Sequence, residues 1–171
     1  MIDKEILQME LDKSTKELIK IINEFPDKDF NTRISENAWS TGEVLEHIIR
    51  LDGFMIKLLE GESKPTKRNP EDKLEFIKRG FLDIEKKYNA PKFFIPRENN
   101  QNKNDCLENI IVNRKKISEL VIQSNLSGTY PDIIHPVFGE MSSVEWIYSI
   151  IYHSERHMIQ IKRIKDNLIN D

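Results

Sequence analysis

Two histidines, His153 and His157, lie inside an apolar stripe of helical period that runs from Trp146 to Leu168. An α-helix repeats every 3.6 residues, so positions four apart stack on one face. The pair therefore sits on the side of a helix that must turn into a core. Imidazoles buried there cost on the order of several kcal/mol unless their nitrogens find partners. Whatever packs against this face must supply acceptors or an ion. A second stripe, Val44, His47, Leu51, Phe54 or Met55 and Leu58, carries a third histidine. Polar groups on the facing apolar sides of helices are how bundles build internal sites.

The rest of the chain reads in the same way. Residues 3–24 form an amphipathic helix with Ile6, Leu7, Leu11, Leu18, Ile21 and Ile22 on one face, ended by Phe25-Pro26-Asp27. Residues 26–39 connect it to the next helix, with Trp39 as apolar anchor. That helix opens on a capping box, Ser40 with Glu43, flanked by the Trp39–Val44 staple. It runs to about Glu60, where Gly61 is a stop. Gly53, inside it, either permits close helix approach or is merely tolerated. Residues 62–69 read as an exposed polar loop, and Lys64, Lys67 and Arg68 as its solvated charges. Asn69-Pro70 starts a shorter helix to about Lys87. Residues 89–104 form a long irregular connection, and 105–123 a helix with Leu107, Ile110, Ile111, Ile117 and Leu120 as its apolar face. Residues 124–141 read as an ordered loop with Ile133, Ile134, Val137 and Phe138 as buried anchors. A second capping box, Ser142 with Glu145, opens the last helix, which runs to about Leu168. There is no run of period-two strands. The expected fold is all-α: a four-helix bundle with long crossover connections and an extra short helix, in one domain spanning 1–171.

Charge and cysteine usage narrow the partners. With 26 Lys and Arg against 29 Asp and Glu, the net charge is -3, which argues against general nucleic-acid affinity. The single cysteine, Cys106, allows no intrachain disulfide and suits a reducing compartment. Asp3, Lys4 and Glu5 break any signal-peptide pattern, and no apolar run would span a bilayer. A cytoplasmic protein with no membrane or nucleic-acid partner is expected, and a homodimer through helix faces is a further expectation.

Brought together, His47, His153 and His157 would make an open divalent-metal site with room for water or substrate. The other reading of the same spacing is three core histidines, each bonded to an acceptor. The zinc-protease pattern does not apply: Glu155 lies roughly 200° around the helix from His153. His135, in a loop before the last helix, is a candidate cavity-lining residue. So is Gln160, one turn from Arg156 and close to His157. Cys106, beside Asp105 and Glu108, reads as a small buried thiol. Arg156 is expected to pair with a glutamate of a neighbouring helix. Glu43 reads as a cap, and Glu46 points about 100° away from His47. Trp39 and Trp146 read as core.

These segments resemble the DinB/YfiT-like superfamily, which is unrelated in chemistry to the DNA polymerase of the same name. The matching stretches are Trp39-Ser-Thr-Gly-Glu-Val-Leu-Glu-His47, His135-Pro-Val-Phe-Gly139, and Glu145-Trp146 leading into His153-Ser-Glu-Arg-His157-Met-Ile-Gln160. The resemblance implies a four-helix bundle holding one divalent metal, zinc or nickel, on His47, His153 and His157. Relatives of known activity include S-transferases and isomerases that use bacillithiol or mycothiol. Two functions follow as expectations. One is a metal-dependent enzyme, a thiol S-transferase or small-molecule hydrolase, with metal-bound water or a low-molecular-weight thiol such as bacillithiol as the reactive group. The alternative is a non-catalytic metal- or ligand-binding stress-response protein. A bundle in which the histidines are only core residues is the third reading.

Overall fold

A computed structural model describes residues 2–97 and 100–170. Residues 98 and 99 of the long connection, and both ends of the 1–171 span, lie outside the described residues. Four long helices form the bundle: α1 (Lys4–Asn23), α2 (Thr41–Glu60), α4 (Lys103–Gln123) and α5 (Ser143–Asn170). A short helix, α3 (Leu74–Leu82), packs on the outside of α5. Around the bundle the order is α1–α4–α2–α5, so α1 and α2 are diagonal partners joined by a crossover, as are α4 and α5. This is the expected all-α architecture.

Local chemistry fixes where the site-bearing helices start. The Ser40 hydroxyl accepts from Glu43 N–H at 3.2 Å, and the Glu43 carboxylate accepts from Ser40 N–H at 2.8 Å. The Ser142–Glu145 box does the same at the head of α5, at 3.2 and 2.9 Å. Each glutamate is also clamped by an arginine from a connection: Arg33, before α2, on Glu43, and Arg68, from between α2 and α3, on Glu145. Arg68 is therefore no solvated loop charge: it holds a carboxylate with no exposed side-chain surface. At Gly61 the backbone stays extended, and a Cβ at Gly53 would meet open space, so that glycine is tolerated rather than required.

The structure corrects the sequence reading in the connections. Residues 128–142 are a β-hairpin, β2 (Gly128–His135) and β3 (Gly139–Ser142), with β1 (Lys64–Pro65) on its other edge. His135 pairs with Gly139, and the turn between them closes on Gly139 at φ +69°, a conformation that favours glycine. Of the four proposed loop anchors, Phe138 is buried and Ile133 partly so. Ile134 is exposed because a strand sends neighbouring side chains to opposite faces, and Val137 because it sits in the turn between β2 and β3. α3 is shorter than expected at both ends. Before it, residues 70–73 form turns and Lys73 N–H is taken by Glu145. After it, the carbonyls of Phe81, Asp83 and Lys86 all accept from Arg156. Arg156 thus tethers backbone rather than pairing with the expected glutamate.

The core falls into two apolar clusters. Leu7, Leu11, Met55, Ile117 and Ile147 belong to one, and Leu18, Ile22, Leu45, Ile48, Ile110 and Ile161 to the other. Between them each bundle helix contributes a buried polar residue to one layer: Ser14, Asp52, Arg114 and Ser154. Among the described residues, no helix is long and apolar enough to cross a membrane.

Candidate metal centre

α2 carries His47 and α5 carries His153 and His157 to one point. A ligand atom of each lies within 4.8 Å of the others. His153 Nε2 is 3.2 Å from His47 Nε2 and 3.0 Å from His157 Nε2. Three imidazoles on a tetrahedral ion, with bonds of about 2.0–2.1 Å, place their nitrogens roughly 3.3 Å apart. The two distances from His153 match that spacing.

Proton positions follow from the outer partners. His47 Nδ1 lies 2.7 Å from the Phe94 carbonyl, which can only accept, so Nδ1 carries the proton. His157 Nδ1 lies 2.7 Å from Gln160 Oε1, which accepts in the same way. Burial opposes a second proton on either ring. It pulls His157 down to about 3, with the neighbouring His47 adding to the effect, and it lowers His47 despite the Phe94 bond. Burial, then the two other histidines, holds His153 well below its ordinary value. The Nε2 atoms of His47 and His157 are therefore bare lone pairs facing the ring of His153. His153 can donate to only one of them at a time. Lone pairs that converge without enough protons are a donor set fitted to a cation, and the acceptors behind two of the rings are what ligand histidines use to fix tautomer and orientation.

Aromatic rings wall the site. The Trp39 and Phe94 rings stand 5.1 and 6.5 Å from His47, and Phe81 stands 5.3 Å from His153. Trp146 is buried, as expected, but lies against Phe54 and His135 rather than the ligand cluster. His135 is outside the cluster, one ring removed, with Phe81 6.4 Å away on the side of His153. Its Nδ1 accepts from Val137 and Phe138 N–H, both at 3.1 Å, so any proton on the neutral ring is on Nε2. Burial lowers it to about 4, which keeps it neutral. Phe138 stacks on it at 4.6 Å and in turn seats against Gly80, where a Cβ would fall 2.7 Å from the Phe138 ring. Gln160 buttresses His157 through its Oε1, 2.7 Å from Nδ1. Cys106 is buried, and its thiol is pushed up to about 11 by burial, then by Asp105 and Glu46, so it stays protonated. Glu46 turns away from His47 to accept from Arg97 N–H and Gln101.

Sequence reasoning missed three residues. The Phe94 carbonyl comes from the end of a short 3-10 turn, Lys92–Phe94, with no sequence signal. Asp52 and Arg114 had one: each sits on a helical apolar stripe, Asp52 between Ile48 and Met55, Arg114 between Ile110 and Ile117.

Comparison with known proteins agrees with the geometry. A model of the DinB superfamily matches residues 10–161. The chain is a member of the DinB superfamily. It is similar to the uncharacterized protein YuaE of Bacillus subtilis (strain 168), 28% identical over 144 residues, covering 83% of this chain and 86% of that one. Its fold is similar to a crystal structure described as TT2238, a four-helix bundle protein. That match has a TM-score of 0.59 at 18% identity and covers 94% of this chain and 99% of the other. For this DinB-superfamily chain, the three histidines are positioned to bind a metal ion.

Proposed function

We propose that this protein is a metal-dependent enzyme that holds one divalent ion, zinc or nickel, on His47, His153 and His157. Its reaction is thiol S-transfer or the hydrolysis of a small molecule. The observation that carries this reading is the convergence of three Nε2 atoms, two of them held deprotonated by the Phe94 carbonyl and Gln160. A divalent ion on three neutral imidazoles supplies Lewis acidity, bringing the pKa of a water or thiol to about 7.

The chain's own residues do the rest. Phe94 and Gln160 fix the two tautomers. Trp39, Phe94 and Phe81 keep the surroundings dry, which strengthens electrostatic interactions within the site. His135, neutral and with no Nε2 partner among the described residues, donates a hydrogen bond to an oxygen of the substrate. Among the described residues no carboxylate joins the cluster, and Cys106 is protonated and buried, so neither is the nucleophile in this reading. The thiol is of the low-molecular-weight class to which bacillithiol belongs, and the compartment is the cytoplasm.

The test is metal content by elemental mass spectrometry on untagged wild type and on His153→Ala/His157→Ala. About one equivalent of a divalent ion in wild type, lost in the variant, is expected for an open site of this kind. Thermal stabilisation by a thiol only when the ion is present then separates an enzyme from a passive metal binder. No ion in wild type, even after reconstitution, would sink the proposal and leave three core histidines.

A further inference from the structure

The polar layer across the middle of the bundle has no obvious reason to exist. Ser14, Asp52, Arg114 and Ser154 are 4%, 0%, 3% and 1% exposed, and each comes from a different helix. Arg114 Nε donates to Asp52 Oδ2 at 2.8 Å and its Nη2 to Ser154 Oγ at 2.8 Å, and the Ser154 hydroxyl donates to the Ile150 carbonyl. Among the described residues Asp52 Oδ1, Arg114 Nη1 and Ser14 Oγ find no partner. A buried ion pair with orphaned atoms is a poor way to gain stability. Apolar residues of similar volume are often as good or better.

The layer's position suggests what it is for. Ser154 directly follows His153, and Asp52 follows His47 by five residues on α2. Arg114 alone bridges the two. Above and below it the core is apolar, and apolar contacts are non-directional, so they resist sliding or rotation of one helix against another less than a fixed ion pair does. A slip of one turn moves a helix by about 5.4 Å, whereas metal ligands must hold their distances to about 0.2 Å. A slip would also strand a buried charge, which is far costlier than displaced methyl groups. We propose that the Asp52–Arg114–Ser154 layer is the registration device of the histidine centre. Asp52 and Arg114 are positioning residues that set α5 against α2 so that His47 meets His153 and His157. This rests on the metal-site reading above and adds to it the residues that hold its geometry.

The test replaces the pair by apolar residues of similar size, Asp52→Leu with Arg114→Met, and separately removes the α5 link with Ser154→Ala. Zinc affinity is measured by chelator competition, ligand geometry by the visible spectrum of the Co²⁺-loaded protein, and Tm on the zinc-free protein. In the double variant, zinc affinity is expected to fall by about 10–100-fold with an altered Co²⁺ spectrum, while Tm stays at or above that of wild type. Ser154→Ala should lose affinity in the same direction, with a lowered Tm because Arg114 Nη2 is left without its acceptor. Wild-type affinity and spectrum in the double variant would overturn the proposal. So would a double variant that fails to fold, because the layer would then be a stability element. Wild type that binds no ion would instead remove the metal-site reading on which both rest.

Discussion

Gln160 decides which nitrogen of His157 is offered to an ion. Its Oε1 accepts a hydrogen bond from Nδ1–H at 2.7 Å, leaving Nε2 bare toward the centre. Gln160→Leu keeps the bulk and removes the acceptor. It should lower zinc affinity about 10–100-fold with little change in Tm, measured by chelator competition. The convergence of the three histidines was legible from sequence, because histidines on apolar helical stripes need partners there. The groups that tune them were less so. Gln160 could be found by its spacing from His157, but the Phe94 carbonyl is backbone, and no side-chain pattern announces it. Asp52 and Arg114 were hidden by habit: charges on an apolar stripe read as imperfections until the two are seen to meet.

At the scale of elements, both site-bearing helices begin in the same way, with a serine–glutamate box and an arginine clamp. The two clamps differ in burial: the side chain of Arg33 is 39% exposed, that of Arg68 27%, and Glu145 beneath Arg68 is fully buried. Losing Arg68 strands that carboxylate. Arg68→Ala should cost about 3 kcal/mol by denaturant unfolding of the zinc-free protein, and Arg33→Ala, which removes the more exposed arginine, should cost less. Equal costs would show that exposure of the arginine does not set the difference. The helices were legible because their periodicity and caps agree at every level. The hairpin was not: Pro131 interrupts β2 where its pairing with β3 shifts register, and β3 is only four residues long. Tertiary contacts, rather than local preference, also trimmed α3, whose flanking backbone is taken by Glu145 and Arg156.

For the molecule as a whole, four neutral histidines set a response to acid. Burial holds His135 near 4 and His157 near 3, against an ordinary 6.5. Between those values and about 6.5 the unfolded chain binds more protons than the folded one, so stability rises with pH. The zinc-free protein should therefore be most stable above about pH 6.5 and lose stability steadily as pH falls toward 4. Chemical unfolding across that range checks it. His135→Phe should flatten the slope, and a slope unchanged by it would show that His135 titrates normally. One further feature bears on how the protein is degraded. Residues 83–87 contain no helix or strand and carry exposed Lys86 and Lys87, which would ordinarily invite trypsin. Arg156 holds the Phe81, Asp83 and Lys86 carbonyls against α5, so a protease cannot draw this segment into its cleft without first breaking that grip. Arg156→Leu should expose a nick at Lys86 or Lys87 that wild type resists. The resulting two-piece protein would carry His47 on one fragment and His153 and His157 on the other.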